Sequence, residues 1–484
     1  MMAGTVCNLP HVISKILSAY ISRLKESIMH LRVLALAALL PLTTVAQAAD
    51  WSRFRGPNGN AVSEEKGLPT KWSDSAEDGL VWKTSLPGAG ASSPVIAGDK
   101  VFVTCFTGQG GQNLERILVC TSRKDGKILW KQSVKGKANE DYPDQQLMTH
   151  GYASSTPATD GEGVYVLYGK SGVYAYDMKG EELWHKDVGS GSAMMGWGSA
   201  SSPILFKNLV IVTAAAEGRA LIAFDKKTGK EVWKTPAESL NGCWGTPILV
   251  DLAGGKQELV ISVPGEVWGF DPATGQFLWF CEGVNTNAMC TSAVAKDGIV
   301  YAIGGGPGSS GAVAIKAGGK DDVTKTHLLW SKNAGSYVTS PVIVGDLLLW
   351  VDDGGYAQGL KLKDGESVTS KKRLSGGGAP AGGPPAGGRA PGGPPSGFGG
   401  GGRGRGMGGM GGGREYYASV VAGDGKLYAV SRSKGTFVIS ADAKLDVLAT
   451  NKMDDTSVFN AGPAIQDGQI YLRSDKFLYC IGKK

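Results

Sequence analysis

Apolar and polar residues alternate in short runs along residues 80–484, and Gly, Asp and Asn interrupt these runs every few positions. No stretch sustains the period of an amphipathic helix, so the pattern predicts strands throughout and an all-β fold. One phrase shows the pattern best, running from Ala223 and Phe224 through Asp225, Thr228 and Gly229 to Val232 and Trp233. It predicts a strand ending at Phe224, a tight turn closed by Gly229, and a second strand ending on Trp233.

The phrase returns from Gly269 to Trp279, and more loosely from Val119 to Trp130 and from Ala175 to Trp184, at intervals of roughly 45 residues. Recurrence at such a period marks a repeat architecture. Each repeat opens on a strand of small residues, as in Ser92-Ser93-Pro94, Ser155-Thr156-Pro157, Ser201-Ser202-Pro203 and Gly245-Thr246-Pro247. The series continues through Thr291-Ser292-Ala293, Thr339-Ser340-Pro341, Ala418-Ser419-Val420 and Ala461-Gly462-Pro463. A β-branched strand follows, such as Val101–Thr104, Val164–Val166 or Ile299–Ala302, then the turn phrase and the Trp strand.

Small residues suit an innermost strand where blades converge on one axis. Eight such strands are present, but the last repeat stops after Phe477–Ile481 without its fourth strand. Leu80–Ser85 is a Trp strand with no hairpin before it, and pairing it with the last three strands would close the ring and remove the open edges. The expectation is an eight-bladed β-propeller of four-stranded antiparallel blades over residues 50–484, with Trp51 to Gly59 as a loop-like lead-in.

Composition adds two segments outside this pattern. The formal charge of +6 is carried by residues 1–49, which sum to +3, and by residues 375–414, which sum to +4. The rest is close to neutral at about −1, so the basic balance gives no case for nucleic-acid binding. Met29 to Arg32, the apolar run Val33–Leu40 and Ala46-Gln47-Ala48 read as a secretory signal with its cleavage site. We expect Met29 to be the true start, 1–48 to be lost, and a periplasmic or extracellular monomer with no transmembrane anchor after cleavage. Residues 375–414, rich in Gly, Pro and Arg, cannot bury a core and are expected to be a disordered insertion between repeats six and seven.

Export makes the six cysteines beyond Cys7 eligible for disulfides. Cys105 with Cys120 is a candidate cross-strand pair, Cys281 and Cys290 lie at the end of one repeat and the start of the next, and Cys243 and Cys480 have no evident partner. Six buried free thiols are the other reading, because spacing alone does not assign connectivity.

The turn phrase and the Ser-Ser-Pro strands together resemble the pyrroloquinoline quinone (PQQ)-like β-propeller family, over essentially all of 51–484. The lead-in Trp51, Phe54, Arg55, Gly56 and Pro57 resembles its exported, PQQ-binding-like members. The Gly-His and Trp-Asp pairs of WD repeats do not recur. The resemblance implies one of two functions: a quinoprotein alcohol dehydrogenase holding PQQ and calcium over the channel, or a non-enzymatic propeller similar to outer-membrane-protein assembly factors. The dehydrogenase branch has adjacent cysteines beside PQQ, and this chain has none; its calcium ligands and catalytic Asp find no matching positions. We therefore expect no catalytic residue, no metal, and binding to a protein or envelope partner.

In either branch Trp82, Trp130, Trp184, Trp233, Trp279 and Trp330 read as blade-to-blade packing rather than cofactor stackers. The loops leading into the innermost strands converge on one channel mouth. They place Tyr152, Trp197, Trp244 and Tyr337 there, together with Tyr416, Tyr417 and Phe459. His150, Met195, Met289 and Asn460 stand beside them. Such a ring is either a stacking surface for a flat or extended ligand, a polysaccharide included, or an apolar plug. Lys170, Arg219, Arg432, Lys434 and Arg473 form either an anion clamp or, with Glu217, Glu266, Asp352 and Asp353, scattered solvated charges. Glu140, Asp141 and Asp144 form an acidic loop whose spacing matches no calcium loop, so a solvated turn is the plainer reading. N-terminal mapping of the mature protein is expected to find Ala49 as its first residue; a product retaining residues 1–28 would overturn the assignment of Met29.

Overall fold

The computed structural model describes residues 50–141, 150–306, 309–374 and 414–483, with isolated positions between 14 and 23. Ala48–Lys484 forms one compact unit and Met1–Gln47 another. The signal sequence, the start at Met29 and the insertion up to residue 413 lie outside the described residues. No helix among the described residues is long and apolar enough to cross a membrane.

The large unit is an eight-bladed propeller, each blade a sheet built on four antiparallel strands. Blade 1 shows the plan, with Val95–Ala97 innermost, then Lys100–Thr107 and Glu115–Ser122, and Ile128–Lys135 outermost. Blades 2 to 7 begin at Ala158, Ile204, Ile248, Val294, Val342 and Val421. Blade 8 takes Ala464–Gln466, Gln469–Arg473 and Phe477–Ile481 from the end of the chain, and Leu80–Ser85 pairs with Phe477–Ile481 as its outer strand. Both ends of the chain thus share one sheet, as the unpaired Trp strand predicted.

Two sets of contacts join the blades. On the outside, five of the repeat Trp residues reach the hairpin turn of the next blade. Trp184 donates its indole N–H to the Lys226 carbonyl at 2.8 Å, and a Cβ at Gly229 would meet that indole at 2.6 Å. Gly229 also has a φ of 66°, which side-chain-bearing residues seldom adopt, so the turn glycine is required twice over. The same bond links Trp82 to Arg123, Trp130 to Met178, Trp233 to Pro272 and Trp330 to Leu362. Trp279 differs. It is fully buried and donates to Glu258 of its own blade, because Asp321–Asp322 pairs parallel to its strand and covers it.

On the inside, the second residue of each Ser-Ser-Pro motif is more than small. The backbone N–H of Ser93 donates to the Thr156 hydroxyl, that of Thr156 to Ser202, and that of Ser202 to Thr246. Thr246 continues to Ser292, Ser292 to Ser340, and Ser340 to Ser419, every bond 2.9–3.0 Å long. The belt breaks at blade 8, where Gly462 brings no hydroxyl. There Arg473, fully buried, bonds the Thr104 carbonyl at 2.7 Å and the Ser92 hydroxyl at 3.2 Å. Arg473 is therefore a tie between the last blade and the first, and neither a solvated charge nor a clamp residue.

The six described cysteines are free thiols. Strand register explains why Cys105 and Cys120 do not pair: Cys105 stands opposite Ile117, and Cys120 opposite Phe102. Burial pushes the Cys120 and Cys243 thiols up to about 12, which makes them inert packing groups.

Because a buried N–H without an acceptor costs about 1–3 kcal/mol, Ser202→Ala is expected to destabilise the fold by that amount. Urea unfolding of the two proteins measures it; an unchanged midpoint would show that the belt contributes nothing.

Candidate functional site

The lead-in is a plug. Trp51 donates its N–H to Gln466 of blade 8, while its carbonyl accepts from Ile96 of blade 1 and that of Ser52 accepts from Thr159 of blade 2. Asn60 exchanges two hydrogen bonds with the backbone of Ala295, and Ala422 donates to the Ala61 carbonyl. Val62–Ser63 then adds a parallel strand to blade 7. Ile96, Thr159, Ala295 and Ala422 each lie three residues beyond a belt hydroxyl, or about 10 Å further along the strand. The segment therefore closes the end of the channel opposite the mouth. Repeat periodicity could not reveal this, since the plug belongs to no repeat; the one signal was Trp51, Phe54 and two arginines in an otherwise loop-like stretch.

Above the plug lies a blind cavity of about 150 Å³ that opens at the mouth. Phe54, Arg55 and Ala61 form the floor, and the belt residues Ser93, Thr246, Ser292, Ser340 and Ser419 line the wall. His150, Trp197, Trp244, Tyr337, Tyr417 and Asn460 surround the upper part, with Arg414, which sequence reasoning did not single out. The Trp197 and Trp244 rings lie 5.3 Å apart, and the Trp244 indole N–H is fixed on the Gly198 carbonyl at 2.8 Å. Arg414 stacks over Tyr337 at 4.2 Å and donates to the Tyr417 hydroxyl at 3.3 Å. Arg432 holds Asn460 through its Nε at 3.0 Å.

The other sequence candidates lie elsewhere. Tyr416 and Phe459 are buried between blades, one residue out of phase with Tyr417 and Asn460. Met289 is buried in the blade core, and the Met195 side chain lies outside the described residues. Arg219 pairs with Glu238 in solvent. Lys434 reaches Glu415 at 2.9 Å.

Tyr152 and Lys170 belong to a separate polar cluster beside the mouth. Arg116 grips Glu140 through two bonds of 2.8 Å, with both side chains buried, and Lys170 bonds Asp141 at 2.8 Å. The loop expected to be a solvated acidic turn is thus held by two buried cations; Asp144 lies outside the described residues. Burial alone would raise the Glu140 carboxyl, but the bonds and charge of Arg116 outweigh it and hold it below the usual range. Glu217 lacks such a grip. Burial raises its carboxyl, the Ser199 hydroxyl donates to one oxygen, and the other has no hydrogen-bond partner.

The described residues of the cavity do not suit a calcium-bound quinone. Among them no Asp or Glu lines it, and no group of three His, Cys, Asp or Glu able to hold a metal occurs. Calcium takes six to eight oxygen ligands with carboxylates among them, and a described carboxylate base for hydroxyl oxidation is missing as well.

Fold and cavity together define an eight-bladed propeller with a blind, positively charged channel. The family model described as outer membrane protein assembly factor BamB matches residues 71–239 and 118–371. The chain belongs to that family of PQQ-like propellers. No curated protein matches the chain by sequence. Among solved structures, BamB from Moraxella catarrhalis superposes with a TM-score of 0.52 at 11% identity, covering 84% of this chain and 97% of its own. The quinohemoprotein alcohol dehydrogenase from Comamonas testosteroni gives 0.52 at 12% identity, covering 91% and 82%. A computationally designed protein, Ika8, gives 0.50 at 12% identity, covering 84% and 100%. At these identities the likeness is one of fold.

A carboxyl raised by burial favours the folded state only while protonated, so its stabilisation is present below the ordinary Glu value and lost as pH rises through the raised one. Glu217→Gln is accordingly expected to melt above the parent at about pH 8 and level with it at about pH 4. Equal melting at both pH values would show that Glu217 is not strained.

Proposed function

We propose that the protein is an exported, non-catalytic binding module of the cell envelope that recognises a partner at its channel mouth. The observation that carries this reading is the blind cavity itself, rimmed by ordered aromatic rings and devoid of described carboxylates. A site with this lining suits recognition, because apolar walls supply affinity and a few fixed polar groups orient the occupant. The family's description as an outer membrane protein assembly factor supports an envelope location and a protein partner. A dehydrogenase using PQQ and calcium is the less suitable reading, because the described lining offers neither the metal's ligands nor a carboxylate base. An extended polysaccharide is also disfavoured, since a channel closed at one end takes a ligand end-on.

The test pairs two measurements. Trp197→Ala combined with Tyr337→Ala is expected to keep the fold but reduce, by tenfold or more, the envelope protein cross-linked to the exported chain in cells. Unchanged cross-linking would remove the mouth as the recognition site. Protein supplied with PQQ and calcium is expected to show neither quinone absorbance nor dye-linked alcohol oxidation, and turnover would overturn the non-catalytic reading.

A further inference from the structure

Arg55 is the one feature of the cavity that neither packing nor the ring architecture explains. Its residue is 4% exposed, and its backbone sits at a φ of 64°, in the left-handed region that a bulky residue seldom occupies. Nε donates to the Gly59 carbonyl at 3.1 Å, and Nη2 to the carbonyls of Asn60 and Pro341. Nη1 is buried with no hydrogen-bond partner. All its partners among the described residues are neutral carbonyls. Burial pulls its guanidinium below the usual arginine value, but the group remains charged at neutral pH. A buried, uncompensated cation is costly unless an anion meets it.

The wall above has the same bias. Ser292, Ser340, Ser419 and Thr246 each accept one backbone N–H in the belt, and none donates its own hydroxyl proton to a protein acceptor. The Ser93 hydroxyl, which would receive the N–H of Gly462, makes no belt bond among the described residues. The lining is therefore rich in donors, carries the cations Arg55 and Arg414, and has no carboxylate among its described residues. Trp197, Trp244 and Tyr337 make the upper part apolar.

We infer that the cavity binds an organic carboxylate with an apolar, ring-bearing body, which enters acid first so that its carboxylate meets Arg55 and the belt hydroxyls while its body lies between the mouth rings. This rests on the reading of the channel mouth as the recognition site, and it names the chemistry recognised there. Two sources present that chemistry, a free aromatic acid and the C-terminus of a polypeptide ending in an aromatic residue.

The probes are 2-naphthoate against 2-naphthamide, and an N-acetylated tetrapeptide ending in phenylalanine as free acid against the same peptide amidated. Calorimetry on the full mature chain reads each affinity. The expected result is at least tenfold tighter binding of one acid than of its amide, with Arg55→Gln abolishing the difference. Discrimination confined to the peptide pair identifies a chain terminus as the natural ligand, and discrimination confined to naphthoate identifies a small acid. Equal affinity of acid and amide, or no binding of any probe, overturns the inference. Should Arg55→Gln fail to fold, the acid–amide comparison on the unaltered protein decides alone. A mouth that loses its cross-linked partner in the Trp197/Tyr337 variant yet ignores all four probes refutes the carboxylate and leaves the binding-module reading standing.

Discussion

The belt of hydroxyl-to-backbone hydrogen bonds around the channel is the constraint on which the rest of the structure depends. An innermost strand in a propeller has no room for a large side chain, and its outward-facing N–H groups meet the neighbouring blade rather than a strand partner. Ser or Thr at one position in blades 2 to 7 answers both demands. It is small, and its oxygen accepts the N–H of the blade before. Fixing the inner strands in this way sets the channel radius, and with it the size of the cavity. The Trp and Gly contacts on the outer side hold the same blades apart at a matching angle, so the ring is specified at both radii.

Much of this architecture was legible in the sequence, because it repeats. The turn phrase, the Trp strand and the Ser-Ser-Pro motif each recur, and the lone Leu80–Ser85 strand announces how the ring closes. What was read as mere smallness in Ser202, Ser292 or Ser340 is also a hydrogen-bond device. That role is invisible until the blades are placed side by side. The turn glycine was read as a conformational requirement, and it is equally the seat of the preceding blade's indole.

The candidate site was legible only in part, for a reason rooted in the pleat of a strand. Successive side chains point to opposite sides of an extended segment, so Tyr417 and Asn460 line the cavity whereas Tyr416 and Phe459 pack between blades. Loop position alone could not separate these pairs. The charged candidates were misjudged for a different reason. Lys170, Glu217 and Arg473 sit on loops and strand ends that read as exposed, but neighbouring blades cover them. Arg55 and the plug were missed because they owe their position to partners hundreds of residues away.

That remoteness has a consequence for how the molecule is made. Trp51 bonds a residue 415 positions downstream, and Glu65 receives the Gly468 N–H across 403 positions. These two anchors must therefore wait until the last blade has emerged, while Ile96 and Thr159 can hold Trp51 and Ser52 earlier. Contacts of such separation form late and slowly. The floor of the cavity thus receives its last anchors only when the chain is long enough to supply blade 8, and closing the ring and seating the plug are one event.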